Sequence, residues 1–434
     1  MAVIEPFHGL RYGSRLADSI AEVIAPPYDV ISAELQDELH DRHPANFIRL
    51  EYGRADNGTD RYTQARSTLD TWSRNGSLIQ EQDPAYYLYE QSFTLPAGVD
   101  VATSKAIYRR RAVFASVTLE PYGQSIFPHE RTLAGPKADR LKLIEATEAN
   151  LSPVFAIVSD EQKAMDGVVA DVATRSPLLY EGEDGDGQTH RLWRADGPLA
   201  KELAAVVDGS SLTIADGHHR YETALAYRDH VRGANGASPS PTPADAVMMA
   251  LVSSHSDELV ILPTFRLLSG LPAEVVESLP RRLTEAGCEV VELGAADGDQ
   301  AVTRMLDAVR SSTSTTFGLC LPHGRLVTVS PDGADVVGDS ADLLDVAYLH
   351  QRLLPDFLGV NTDDAAGQER VRYTANRDGA LGAVRAGKAQ VAVFVRGVTM
   401  AEVEHVAMSG GVMPQKSTYF YPKMPSGLVA RRLT

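Results

Sequence analysis

Cysteine is nearly missing from this chain of 434 residues: Cys288 and Cys320 are the whole supply. Two distant thiols make no disulfide framework, and neither has a partner at metal-ligand spacing, so zinc and iron–sulfur sites have little support and a cytoplasmic location is expected. Long hydrophobic runs are missing too. None approaches the roughly 20 apolar residues that cross a bilayer, and no membrane partner is expected. Met1 to Leu10, with Glu5, Pro6 and His8, lacks the basic flank and apolar stretch of a signal peptide. Positive charge is in deficit, 41 Lys and Arg against 58 Asp and Glu for a net charge of −17. Such a surface repels a phosphate backbone, and with no convincing helix-turn-helix pattern, no nucleic-acid partner is expected. The phosphate loop Gly-x-x-x-x-Gly-Lys-Ser/Thr, the dinucleotide turn Gly-x-Gly-x-x-Gly and the nucleophile elbow Gly-x-Ser-x-Gly are all missing. His218 and His219 are adjacent rather than a helical turn apart, so they form no zinc pair, and metal ligands stay unassigned.

What is present fits a soluble mixed α/β protein, with 44% apolar and 23% charged residues and a length that exceeds one compact core. Helical periodicity is expected over 14–24, 32–42, 60–75, 137–148, 272–287, 300–310, 341–355 and 377–386. Strands are expected at 47–51, 85–95, 107–119, 154–158, 288–293, 315–321, 324–330 and 389–395, with a hairpin joining 246–253 to 259–263. The Gly-, Ser- and Pro-rich stretch 233–243 suggests a division into a core over 1–235 and a C-terminal α/β subdomain over 246–434. The tail of that subdomain is expected to return to the core.

The segment Ser211 to Arg220 carries the strongest chemical signal. A short apolar run, Leu212 to Ala215, breaks at Asp216-Gly217, and a helical pattern begins at once with Tyr221, Ala224 and Leu225. Asp216 is a good N-cap, and Gly217 permits a tight turn with close ligand approach. His218, His219 and Arg220 then add donors where the helix dipole is already positive, an arrangement suited to phosphate. A second cluster lies at Phe127 to Arg140. There His129, Arg131, Lys137 and Arg140 gather positive charge near another helix start, after Gly135-Pro136. Glu130, between basic neighbours, is expected to be held ionised and is a candidate general base or magnesium ligand. Asp29, on the rigid turn after Pro26-Pro27-Tyr28, is the alternative carboxylate. Gly410 to Thr434 contains Lys416, Lys423, Arg431 and Arg432 without a single Asp or Glu, and its Ser417 to Lys423 run interleaves aromatics with cations.

Ile214 to Arg220 resembles the strand–turn–helix motif of the ParB/sulfiredoxin superfamily, whose members bind nucleotide phosphates at that helix start. The chain as a whole is identified as a member of a domain-of-unknown-function family of bacterial and archaeal proteins. The features that carry this are Pro26-Pro27-Tyr28-Asp29, His129-Glu130 with Gly135-Pro136-Lys137, Asp216 to Arg220, and Tyr419 to Lys423. The first resemblance implies a ParB/sulfiredoxin-like nucleotide-binding core. Sulfiredoxin chemistry requires a cysteine beside the motif, where this chain has histidines. Chromosome-partitioning activity requires DNA, which the net charge disfavours. The free-serine kinases of the superfamily conflict least.

The expected function is therefore a small-molecule kinase that transfers phosphate from ATP or ADP, rather than CTP, to a hydroxylated metabolite such as free serine, with Mg2+ expected. Asp216, Gly217, His218, His219, Arg220, Arg131, Lys137, Arg140 and Lys423 would hold phosphate; Glu130, or failing it Asp29, would accept the acceptor's hydroxyl proton, and His129 would be catalytic by offsetting charge on the transferred group. Alternatives are a non-catalytic nucleotide sensor and a phosphate-ester hydrolase. A homodimer is left open.

Overall fold

The computed structural model describes residues 2–55, 58–99, 101, 104–131, 134–234, 241–296, 299–332 and 344–434. Its largest sheet gathers Ile4–Glu5 (β1), Tyr86–Phe93 (β2), Tyr108–Thr118 (β3), Ile126–Phe127 (β4), Val154–Val158 (β5), Leu178–Glu183 (β6), Thr189–Ala195 (β7), Leu212–Asp216 (β8) and Ala246–Ser253 (β9). They lie in the order β4-β8-β5-β9-β3-β2-β7-β6, with β1 also beside β3. Pairing is parallel for β4 with β8 and for β5 with β9, and antiparallel elsewhere.

Both faces of this sheet are covered, which explains its nearly continuous apolar strands. Side chains alternate across a strand. Tyr87, Tyr89, Ala112 and Phe114 therefore face one core, shared with the N-terminal segment and the C-terminal half of the chain. Leu88, Val113 and Ala115 face the other, closed by Val169, Val172, Leu199 and Leu203 of helices Ala164–Arg175 and Gly197–Val207.

The C-terminal half forms an antiparallel six-stranded sheet. Val260–Leu262 (β10) precedes it, and its strands are Phe265–Leu268 (β11), Glu289–Ala295 (β12), Phe317–Leu321 (β13), Arg325–Ser330 (β14), Val371–Thr374 (β15) and Val391–Phe394 (β16), in the order β12-β14-β13-β16-β11-β15. The expected mixed α/β class holds. The sheets divide after Ser253, however, because β9, grouped by the sequence with the second unit, is a central strand of the first sheet.

Three local expectations change. Residues 47–51 form no strand: Ile48–Glu51 is a helical turn, because the Asn46 amide donates to the Glu22 and Ile24 carbonyls and its Oδ1 caps the Ile48 N–H. The expected 246–263 hairpin is also absent; β10 pairs instead with Tyr419–Tyr421 (β17), far away in sequence. Helix 341–355 begins at Asp345 and runs on as a wide turn from Leu349 to Phe357; residues 341–343 lie outside the described residues. The chain end does return to the first half, where Ala430–Arg432 inserts between Gly9–Tyr12 and Ala149–Asn150 in a four-stranded sheet.

Candidate functional site

Because β4 and β8 are parallel, both run out at the same edge of the large sheet. The chain leaving β4 becomes Pro128-His129-Glu130-Arg131. The β8 strand ends in a bulge at Ala215, where the register against β5 jumps from Ile214–Ala156 to Asp216–Phe155. A bulge re-aims the side chain that follows it, here Asp216. Gly217 then takes φ +91°, a conformation that disfavours a side chain, and a Cβ there would lie 2.8 Å from Arg220 Nε. Helix His218–Ala234 (α1) starts at once, its first backbone bond running from the Tyr221 N–H to the Gly217 carbonyl at 3.0 Å.

Two further segments complete the site. The N-terminal arm brings Tyr28 and Asp29 on a short turn after Pro27, and the Tyr28 ring stacks on the Arg140 guanidinium at 4.0 Å. The C-terminal tail crosses from the other side. Its Met413 N–H donates to the His129 carbonyl at 2.8 Å, and Phe420 packs edge-on against His129 and Phe155. Between these segments lies a cavity of about 300 Å3 whose charged lining is Asp29, Glu130, Arg131, Asp216, Arg220, Lys416 and Lys423. Four cations thus face three carboxylates, in a chain of net charge −17.

The electrostatics are specific. Asp216, expected as the helix cap, is engaged by two cationic side chains. Its Oδ2 accepts from Arg220 at 2.7 Å and its Oδ1 from Lys423, which also lies 3.6 Å from Asp29. Burial opposes ionisation of Asp216, but Lys423 and Arg220 outweigh it and hold the carboxyl well below its usual range. Glu130 behaves oppositely. Burial, reinforced by Asp216, pushes it up to about 7, against the pull of Lys416 and Lys423. The expectation that Glu130 is held ionised is therefore corrected: desolvation outweighs its basic neighbours.

Burial lowers the three histidines at the site. His129 is fully buried, and burial lowers it to about 4. Its Nδ1 lies 2.6 Å from the Ile214 carbonyl and must donate there, leaving Nε2 to accept from the Thr418 hydroxyl at 2.8 Å. It lies behind the cavity wall, so its expected role as a charged catalytic group is replaced by a positioning one. Burial, with His129 alongside, also drives His218 well below its ordinary value; its Nε2 accepts the His129 backbone N–H at 3.3 Å. His218 lines the cavity as a neutral group, and His219, lowered mainly by burial, lines it beside Arg220.

Of the other expected phosphate ligands, Arg131, Gly217 and Lys423 line the cavity with Asp29, Asp216 and Glu130. Arg220 lines it too, but its guanidinium is committed to Asp216 and to the Pro153 carbonyl, with Nε buried and unpartnered. Lys137 and Arg140 do not line it. Lys137 pairs with Glu222 at 2.7 Å, and Arg140 is buried against Asp139, Glu51 and the Tyr28 ring. Helical spacing put these two on one face, but Lys137 is drawn to the neighbouring helix α1 and Arg140 packs against the N-terminal arm. Lys416, Gln415, Thr418, Phe420 and Tyr28 also line the cavity without having been assigned to it; the acid-free composition of 410–434 was the available signal.

Among the described residues, no three His, Cys, Asp or Glu side chains are arranged to hold a metal ion. Both Asp216 oxygens are taken by cationic side chains.

No curated protein matches the chain. Solved structures similar to it include a conserved hypothetical protein from Pyrococcus furiosus, at 14% identity and TM-score 0.35 over 73% of this chain and 93% of that one. Another is a free serine kinase in complex with AMP, at 14% identity and TM-score 0.36 over 71% and 86%. A third is SbnI with C-terminal truncation from Staphylococcus aureus, at 12% identity and TM-score 0.36 over 72% and 85%. With residues 4–347 matching it, most of the length, the chain belongs to the family described as "Protein of unknown function (DUF1015)".

Proposed function

We propose that this cavity binds the phosphates of an adenine nucleotide and that the protein transfers a phosphoryl group from it to the hydroxyl of a small metabolite. The observation that carries the reading is the excess of cations around a helix N-terminus in a strongly acidic chain. Phosphoryl transfer relies on positioning and charge compensation more than on covalent chemistry. The first-turn N–H groups of α1, with Arg131, Lys416 and Lys423, would hold the phosphates. Glu130, poised near neutrality, would accept the hydroxyl proton as the acceptor oxygen attacks. Asp29 is the second candidate base. His129 and Thr418 would keep the wall behind Glu130 in place. The resemblance of Ile214 to Arg220 to the superfamily motif makes free serine the first acceptor to try.

Incubation with ATP or ADP and serine, or a panel of hydroxylated metabolites, followed by phosphorus NMR of the products, tests this. A phosphorylated metabolite formed with one equivalent of dephosphorylated nucleotide is the expected result. Inorganic phosphate as sole product would instead indicate hydrolysis, and binding without turnover would indicate a sensor.

A further inference from the structure

Lys423 stands at an unusual junction. It comes from the C-terminal tail, Asp29 from the N-terminal arm and Asp216 from the end of β8, and these three distant segments meet at one ammonium group. The Lys423 side chain is only 15% exposed, and Arg220 takes the other oxygen of Asp216. Glu130 faces the same cavity. Where several carboxylates converge on a phosphate pocket, the group between them is commonly a divalent cation that links them to the phosphate.

We propose that the Lys423 ammonium fills that position here, so that the site carries its own cation and takes up a phosphate group without a metal held by the protein. This inference rests on the phosphate-binding reading above and deepens it. An ammonium has three donor N–H groups. Asp216 takes one and Asp29 lies 3.6 Å away, within ion-pair range, so donor capacity remains for a phosphate oxygen in the cavity that Lys423 lines. The two carboxylates fix the ammonium in place, as ligating residues fix a metal, and they keep it charged: burial disfavours the charge, but Asp216 and Asp29 together more than restore it. Any Mg2+ in turnover would then arrive on the nucleotide instead of being bound beforehand by Asp29 or Asp216.

The test is calorimetric titration with AMP, whose single phosphate has little affinity for Mg2+, in EDTA and again in excess Mg2+. The expected result for the unaltered protein is one AMP per chain with dissociation constants agreeing to about twofold in the two buffers, a difference well under 1 kcal/mol. Lys423→Gln should weaken binding in EDTA by about tenfold or more, the effect of losing one charge-assisted hydrogen bond. Lys423→Arg should retain most of the affinity, and circular dichroism verifies that both variants fold. AMP binding that appears only with Mg2+ would overturn the inference while leaving the phosphate reading intact. So would a folded Lys423→Gln variant that binds as tightly as the parent in EDTA. If neither AMP nor ATP binds in either buffer, the phosphate reading fails, and this inference fails with it.

Discussion

Glu130 and His129 are neighbours in sequence with opposite displacements from a common cause. Burial penalises whichever form is charged, so the acid rises to about 7 and the imidazole falls to about 4. For Glu130 the folded protein favours the proton between about 4.5 and 7. Stability present at low pH is therefore lost as pH climbs through that window. Glu130→Gln should abolish turnover yet stabilise the protein at pH 8 by roughly 1–3 kcal/mol, with little change at pH 4, as read by urea unfolding. Where the parent is active, kcat/KM should rise through pH about 7 as the base ionises. An acid limb centred near 4.5 would remove Glu130 from that role. For His129 the unfolded chain takes the proton first, below about 6.5. Stability should therefore fall as pH drops from 6.5 towards 4, and His129→Asn should flatten that slope in the same unfolding assay. The residue types at Asp29, Glu130 and Asp216 to Arg220 were legible in the sequence because chemistry, turn and helix start are local. Their charge states were not, since burial and the approach of Lys423 and Lys416 come from segments hundreds of residues away.

At the scale of elements, local pattern succeeded where an element is long and periodic, and failed where a short one takes its shape from distant partners. β2, β3 and helices such as Ala273–Glu285 follow from alternation or 3.6-residue spacing. The apolar run at 47–51 has the composition of a strand, but Asn46 ties it to the 22–24 backbone and closes a helical turn. That turn carries Glu51, whose backbone carbonyl holds Arg140 beneath Tyr28, next to Asp29. Asn46→Ala leaves buried carbonyls unpaired and should cost about 2–4 kcal/mol in chemical denaturation. A loss within 0.5 kcal/mol, the range of ordinary surface changes, would contradict the account of this turn. The β10–β17 pair teaches the same lesson: nothing near 260 announces a partner at 420, and a turn signal at 254–257 invites a hairpin instead.

Across the whole molecule, the site is assembled from both ends of the chain. The N-terminal arm, the edge of the large sheet and the acid-free tail each contribute part of the lining. Net charge weighs against partners that need a broad basic surface, and against that acidic background the cations gathered at this cavity stand out. Its four cations against three carboxylates are the central physical claim, and charge reversal tests it most directly. Arg131→Glu combined with Lys416→Glu leaves two cations facing five carboxylates without touching the Asp216–Arg220–Lys423 cluster. In calorimetric titration with ATP, the unaltered protein should bind one nucleotide per chain. The doubly reversed protein, still folded, should bind at least about a hundredfold more weakly, as expected when two charge-assisted contacts become repulsive. Equal affinity in the two proteins would contradict the claim that this cavity is where the phosphate settles.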